Sequence, residues 1–313
     1  MSYVIETDHL SRVYRSYVKA EGLGNSLKGF WNRQHVDKVA LKEVSLKITP
    51  GQIVCLIGSN GAGKTTLLKI LSGLIHPSSG EALVLGYKPW ERNYKFLKRI
   101  SILLGQKNQL WWDITPRDSY ALLAKIYDLE ANKARQRVDE LAKILDCRHV
   151  LDTQLRRLSL GERMKMEIIG SLLHEPEVLF LDEPTIGLDI VAQSTIRSFL
   201  ADYVKDRGPT VILTSHYMDD IAKLASELLL MSRGQIVYQG RVDEFIRNSD
   251  HSKKVIYRLE GETQEHTLQA KSHELKGILN KISSQGEIED LKIEEVDFED
   301  IIHGFLEKES RPL

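Results

Sequence analysis

The 313-residue chain contains only two cysteines, Cys55 and Cys147. Two thiols do not build a disulfide framework, which fits a reducing cytosol. Cys55 sits inside the apolar run IVCLI and reads as core filling. Long apolar runs are lacking as well. IVCLI at 53–57, VLFL at 178–181 and LLLM at 228–231 fall far short of the ~20 residues a spanning helix needs. The opening MSYVIETDHL has no basic-then-apolar layout of a signal peptide. An excess of one charge is also missing. The formal net charge is −1, so no basic field argues for nucleic acid, and none is expected as a partner. Internal repeats, low-complexity tracts and sustained heptads are not found. What remains is 42% apolar and 28% charged residues, the balance of a soluble globular protein with one large domain or two modest ones.

Short apolar runs alternate with helical patterns along most of the chain, which predicts an α/β fold with a largely parallel sheet. IVCLI ends in glycine and serine, and Leu67, Leu68, Leu71, Leu74 and Ile75 follow at helical spacing. The strand-like EALVLG and ISILLG come next. From about 113 to 172 the pattern turns helical, through SYALLAKIYDL, RQRVDELAKILDC and GERMKMEIIGSLL, and reads as a helical subdomain inserted into the sheet domain. VLFL, VILT, ELLLM and QIVYQG resume and close the strand series. From residue 251 onward acids outnumber bases 14 to 9. There KKVIYRLEGETQEHTLQA reads as a hairpin turning at Gly261. Leu275, Ile278, Leu279 and Ile282 share a helical face, LKIEEV suits a strand and FEDIIHGFL a final helix. The expected division is a domain over 1–245 and a small α+β appendix over 246–313.

The strongest motif is Gly58-Ser59-Asn60-Gly61-Ala62-Gly63-Lys64-Thr65, followed by Thr66, which matches G-x-x-x-x-G-K-[ST] between an apolar strand and an amphipathic helix. Glycines let the backbone wrap closely and aim N–H groups at phosphate oxygens, and the helix start adds its positive end. Lys64 can reach β- and γ-phosphates, and the Thr65 hydroxyl can ligate magnesium. A second signal is VLFL running into Asp182-Glu183, a buried strand delivering two carboxylates at the edge where open parallel sheets bind ligands. Alone, these acids would read as a cap for the next helix. Below a phosphate loop, Asp182 suits the magnesium shell and Glu183 a general base for the attacking water. LSLGER at 158–163 is either an ordinary capped helix start or half of a site whose other half lies elsewhere.

The ordered set GSNGAGKTT, LSLGE, VLFLDEPTIGLD and LTSH resembles the ATPase subunits of ABC transporters over about residues 1–240. The resemblance implies a P-loop ABC ATPase core, a RecA-like sheet domain plus an inserted helical subdomain, with ATP and magnesium as cofactors. It implies that two such subunits pair head to tail, so that Ser159 and Gly161 of one chain close on the ATP held by the phosphate loop of the other. By the same resemblance Gln106 senses magnesium and contacts the membrane partner. His216 holds the γ-phosphate, Gly187-Leu188-Asp189 cross the dimer interface, and Tyr14 stacks on adenine. The usual signature is LSGGQ, and this chain departs from it with Leu160 and Glu162. Glu162 would oppose a polyanion if it pointed inward, or strengthen the helix start if it did not.

An ATPase without a spanning segment must act on something else. Trp111 and Trp112 fall where family members receive the coupling helices of membrane subunits, and read equally as interface anchors or as core, one buried and one exposed. Leu23, Leu27, Phe30 and Trp31 share one helical face between Tyr14 and Val39, with Lys28 and Arg33 nearby. That helix would rest on a membrane, on a partner or on its own domain. QLWWD and TIGLDIVAQ look most like the ATPases of type-2 exporters. These implied partners are a second copy and separate polytopic membrane subunits, and the implied location is the cytoplasmic side of the membrane. The rival readings are an importer ATPase with a regulatory C-terminal region and a soluble ABC ATPase with no role in transport.

Overall fold

The computed structural model describes residues 3–17, 35–105, 109–215, 217–248, 252–262, 264–271, 274–295, 300–302 and 304–306. The proposed helix around Leu23–Trp31 lies outside these residues, as do Gln106 and His216. The chain divides into two compact units, Met1–Gln239 and Gly240–Leu313.

The first unit opens with two long strands, β1 (Ile5–Tyr17) and β2 (His35–Ile48). The central strand β3 (Ile53–Ile57) follows and leads into helix α1 (Lys64–Leu71). Next come β4 (Ser79–Val84), the short α2 (Tyr94–Leu97) and β5 (Ile100–Leu104). The predicted helical region resolves into α3 (Pro116–Ile126), α4 (Ala131–Ile144) and α5 (Leu160–Leu172). The sheet resumes with β6 (Val178–Asp182), α6 (Ile190–Arg207), β7 (Thr210–Thr214), α7 (Met218–Leu224), β8 (Glu227–Ser232) and β9 (Gln235–Arg241).

The main sheet has the order β5-β6-β7-β3-β8-β9. Its pairs β5–β6, β6–β7, β3–β7 and β3–β8 are all parallel. Every residue of β3 and β7 is buried, as expected where helices cover both faces of a parallel sheet. One strand departs from the expected series. β4 pairs antiparallel with β1, in a separate sheet of order β2-β1-β4. The cause is visible in its burial, which alternates between exposed and buried over Glu81–Val84. That period of two marks a half-solvated antiparallel strand. One core cluster joins both sheets to α1, through Leu10, Leu41, Leu56, Leu68, Phe180 and Met231 among others.

The helices start where side chains supply the missing acceptors. Thr115 caps α3 ahead of Pro116, Glu130 caps α4 and Asp189 caps α6. Gly208, at φ 72°, ends α6 in the left-handed conformation.

The second unit contains α8 (Val242–Asn248), β10 (Ser252–Leu259), β11 (His266–Lys271), α9 (Leu275–Ser283) and β12 (Ile288–Glu295). Its sheet has the order β11-β10-β12 and is antiparallel throughout. Leu275, Ile278, Leu279 and Ile282 of α9 pack with Val255 and Tyr257.

Candidate functional site

The phosphate loop sits at the C-terminal end of β3, hard against β8. A Cβ on Gly58 would lie 2.2 Å from the carbonyl oxygen of Met231, so only glycine fits there. Gly63 is doubly required: its φ is 111°, and a Cβ would lie 2.5 Å from the Ala40 carbonyl oxygen. The turn after β8 backs the loop, with the Gly234 N–H donating to the Ala62 carbonyl at 2.9 Å. Gly63 opens α1 with no side-chain cap, which leaves the first N–H groups of that helix to serve an anion. Beside Gly61 the space is open. Lys64 is buried, and its ammonium donates to the carbonyls of Gly58 at 2.6 Å and Ser59 at 3.3 Å. Burial lowers its pKa, with Glu183 and Asp182 opposing.

Beneath the loop, the Thr65 hydroxyl donates to Asp182 Oδ2 at 2.9 Å. The other oxygen, Oδ1, accepts from the Thr214 hydroxyl at 2.8 Å. That same Thr214 oxygen accepts the Glu183 N–H at 2.9 Å. Glu183 has φ 55°, the left-handed region that is costly for a non-glycine residue. Both Glu183 and Asp182 lie close enough to act on the charge of Lys64. Among the described residues no cluster of three or more His, Cys, Asp or Glu forms a closed metal cage. One carboxylate beside one hydroxyl instead suits magnesium, which keeps water and phosphate oxygens as its remaining ligands. The uncapped helix start, the open glycine loop and this oxygen pair fit a magnesium nucleotide.

A second cluster forms at the start of α5. Ser159 is its N-cap in a full capping box: the Ser159 N–H donates to Glu162 Oε2 at 2.9 Å, and the Glu162 N–H donates to Ser159 Oγ at 3.3 Å. The Ser159 hydroxyl also donates to Glu162 Oε2, at 2.7 Å. These bonds to Ser159 hold the Glu162 carboxyl below its usual pKa, with His149 adding to the effect. Glu162 thus stabilises the helix start and occupies the signature hydroxyl at once. Gly161 packs on Ala192 and Asp189, and Leu160 stands beside Gly187. Asp189 caps α6 through the Ala192 N–H at 2.9 Å.

The loop between the two clusters is wired from below. Asp220, fully buried, accepts from Thr185 at 2.6 Å and Ser215 at 2.5 Å and pairs with the buried Arg197. Arg197 also donates to Gln193 Oε1 at 2.8 Å, and Gln193 donates to the Leu188 carbonyl at 3.0 Å. Sequence reading missed Thr214, Asp220 and Arg197. Only the neighbourhood of LTSH could have pointed to Thr214. Tyr14 lies on β1, opposite Lys38, in the antiparallel sheet, and the Arg12 guanidinium sits 4.7 Å from its ring centre. One further expectation needs adjustment. Trp111 and Trp112 do not split into one buried and one exposed ring; they are 42% and 41% exposed. Asn60 is exposed in the loop, and Thr66 is half-buried in α1.

Known proteins share this arrangement. A family model described as ABC transporter matches residues 41–186. The ABC transporter ATP-binding protein NatA of Bacillus subtilis is 30% identical over 228 residues, 73% of this chain and 92% of NatA. The daunorubicin resistance ATP-binding protein DrrA3 of Streptomyces coeruleorubidus is 35% identical over 212 residues, 68% of this chain and 66% of that protein. Among solved structures, the dimeric post-hydrolysis ATP-binding cassette MJ0796 with ADP and phosphate superposes with a TM-score of 0.64 at 21% identity, covering 76% of this chain and 98% of that one, a likeness of fold. With a P-loop over a parallel sheet, carboxylates at its edge and a capped LSLGE helix in an inserted helical region, the chain belongs to the family of ABC transporter ATP-binding proteins.

Proposed function

We propose that two copies of this chain pair head to tail around two ATP and drive export through separate polytopic membrane subunits, on the cytoplasmic face of the membrane. The observation that carries the ATPase part of this reading is the Thr65–Asp182–Thr214 hydrogen-bond chain beneath the phosphate loop. In it, Thr65 and Asp182 hold magnesium. The loop N–H groups and Lys64 bind the phosphates, Tyr14 stacks on adenine, and Glu183 takes the proton of the attacking water. Gln106 and His216 complete the site from positions outside the described residues. Magnesium, when bound, offsets the charge of the phosphates. The work of the chain is positioning and electrostatics.

Pairing is supported by an exposed apolar surface beside the signature. Leu160, Ile186, Ile190 and Val191 are 45%, 38%, 81% and 75% exposed. Four such side chains in adjoining segments are poorly suited to water. The direction of transport is supported by the name of DrrA3, a drug-resistance protein, and by the QLWWD and TIGLDIVAQ stretches. We assign residues 1–245 to the ATPase domain and 246–313 to an accessory region.

Glu183→Gln tests the chemistry. It is expected to bind ATP, to hold a stable dimer seen by light scattering in ATP and magnesium, and not to turn over. Brisk hydrolysis by that variant refutes the role of Glu183. Gentle extraction of native membranes tests the partner. A polytopic protein recovered in equal amount supports export, whereas ribosomal proteins, or recovery from the soluble fraction alone, overturn the transport reading.

A further inference from the structure

Helix α5, which begins at the signature, carries a buried acid in its interior. Glu167 is 4% exposed. Its carboxylate accepts the Gln109 N–H at 3.1 Å through both oxygens and the Leu110 N–H at 3.3 Å through Oε1. One turn before it, the Arg163 guanidinium lies 4.7 Å from the Trp112 ring centre. Almost one turn after it, Gly170 gives way to the Leu110 side chain, which a Cβ would approach to 3.1 Å. Residues 163, 167 and 170 follow the i, i+4, i+7 pattern of a single helix face. All three grip the same short segment.

That segment is held along its length. The Arg156 N–H donates to the Trp112 carbonyl at 3.1 Å, the Leu155 N–H to the Ile114 carbonyl at 3.1 Å, and Arg156 pairs with Asp113 at 3.2 Å. Gln154 Nε2 donates to the Asp113 carbonyl at 3.1 Å. Residues 109–114 therefore belong mechanically to the helices that lead into and carry the signature. A tie to β5 is made by the Gln109 side-chain amide, which donates to the Ile102 carbonyl. The Glu167 side chain answers two adjacent backbone donors from the middle of a buried helix face, and its Oε1 accepts from both.

We propose that Glu167 is a positioning residue that pins residues 109–114 to the signature helix, so that grip on a nucleotide at Ser159 and the placement of the exposed Trp111–Trp112 pair are set together. The inference rests on the reading under Proposed function. Burial lifts the Glu167 carboxyl to about 7, while the two N–H donors and Arg163 favour its ionised form. Among the described residues Tyr120 of α3 is a further titratable neighbour, and its hydroxyl donates to the Met166 carbonyl at 2.9 Å. Oε1 accepts both N–H groups by itself, so a neutral side chain that keeps this oxygen as an acceptor keeps the pin.

Hydrogen–deuterium exchange on the full chain tests this, in a Glu183→Gln background that keeps ATP bound. ATP and magnesium are expected to slow exchange both at 158–164 and at 109–114. In Glu167→Ala the slowing at 109–114 is lost while that at 158–164 stays. Glu167→Gln, whose carbonyl can accept both N–H groups, restores it. Slowing at 109–114 that persists in Glu167→Ala overturns the proposal. Where Glu167→Ala does not fold, Gly170→Ala, which pushes Leu110 off the same face, is expected to give the same loss, and unchanged coupling in it overturns the proposal too. A parent that takes up no ATP refutes the nucleotide reading. The pin is then decided on the apo chain, where Glu167→Ala must speed exchange at Gln109 and Leu110 about tenfold or more. Equal exchange in parent and Glu167→Ala overturns it.

Discussion

The Thr214 hydroxyl connects the two acids of the site, since it donates to Asp182 and accepts from the Glu183 backbone. Thr214→Val keeps the shape and removes both bonds. Turnover is expected to fall about ten- to a hundredfold, as when a partner behind a metal ligand is lost, with ATP affinity little changed. Thr214→Ser is expected to keep most of the rate. Steady-state kinetics beside equilibrium nucleotide binding check this, and an unchanged rate in Thr214→Val would show that the acids are held without it. At this scale the sequence was readable where chemistry is local. G-x-x-x-x-G-K-[ST] is eight adjacent positions, and each glycine answers to a backbone constraint near it. Asp220 was not readable, because its partners Thr185 and Arg197 are 35 and 23 residues away and no spacing rule links them.

Helix α5 carries two acids whose environments push them in opposite directions. Glu162, at the solvated start, is held below its ordinary pKa by Ser159. Glu167, inside, is lifted to about 7 by burial. An acid with a raised folded-state pKa binds its proton more tightly when folded. Its contribution to stability is therefore full below the unfolded value and is lost as pH rises through about 7. Glu167→Gln removes that dependence. The melting temperature of the parent relative to this variant is expected to drop as pH goes from 5 to 8, and a pH series of thermal melts checks it. Parallel curves would show that Glu167 titrates as in the unfolded chain. The helix itself was plain from the spacing of its apolar residues, whereas the capping box was seen only as a helix start that Glu162 could strengthen. Glu167 looked like one more polar residue on an amphipathic helix, since the N–H groups it serves lie 58 and 57 residues earlier. β4 was read as a strand but not as part of a second sheet, because pairing partners are not visible in a short run.

For the whole molecule, the two thiols report on different parts of the first unit. Cys55 lies in the central strand and Cys147 beside the inserted helices, and both are fully buried. Burial raises the Cys55 thiol far above its usual pKa and lifts Cys147 to about 12. Thiolate being the reactive form, neither is expected to alkylate in the native chain. Under rising denaturant, mass spectrometry of the alkylated chain should show whether both sites open together or the inserted helices open first. Rapid labelling of either one without denaturant would contradict its burial. The order of elements was readable at this scale because a parallel sheet buried on both faces writes each strand as an unbroken apolar run. The wiring between loops was not, since it depends on side chains brought together only by the finished fold. The capping box at Ser159 has one more effect. The signature hydroxyl already serves an internal anion, so under the proposed pairing an arriving phosphate must evict a carboxylate of like charge. Docking of nucleotide on a cationic loop weakens with added salt, but this step should go the other way. Screening softens the clash between host and guest, so moderate salt is expected to speed ATP-driven pairing of the parent relative to Glu162→Gln, whose neutral amide leaves nothing to screen.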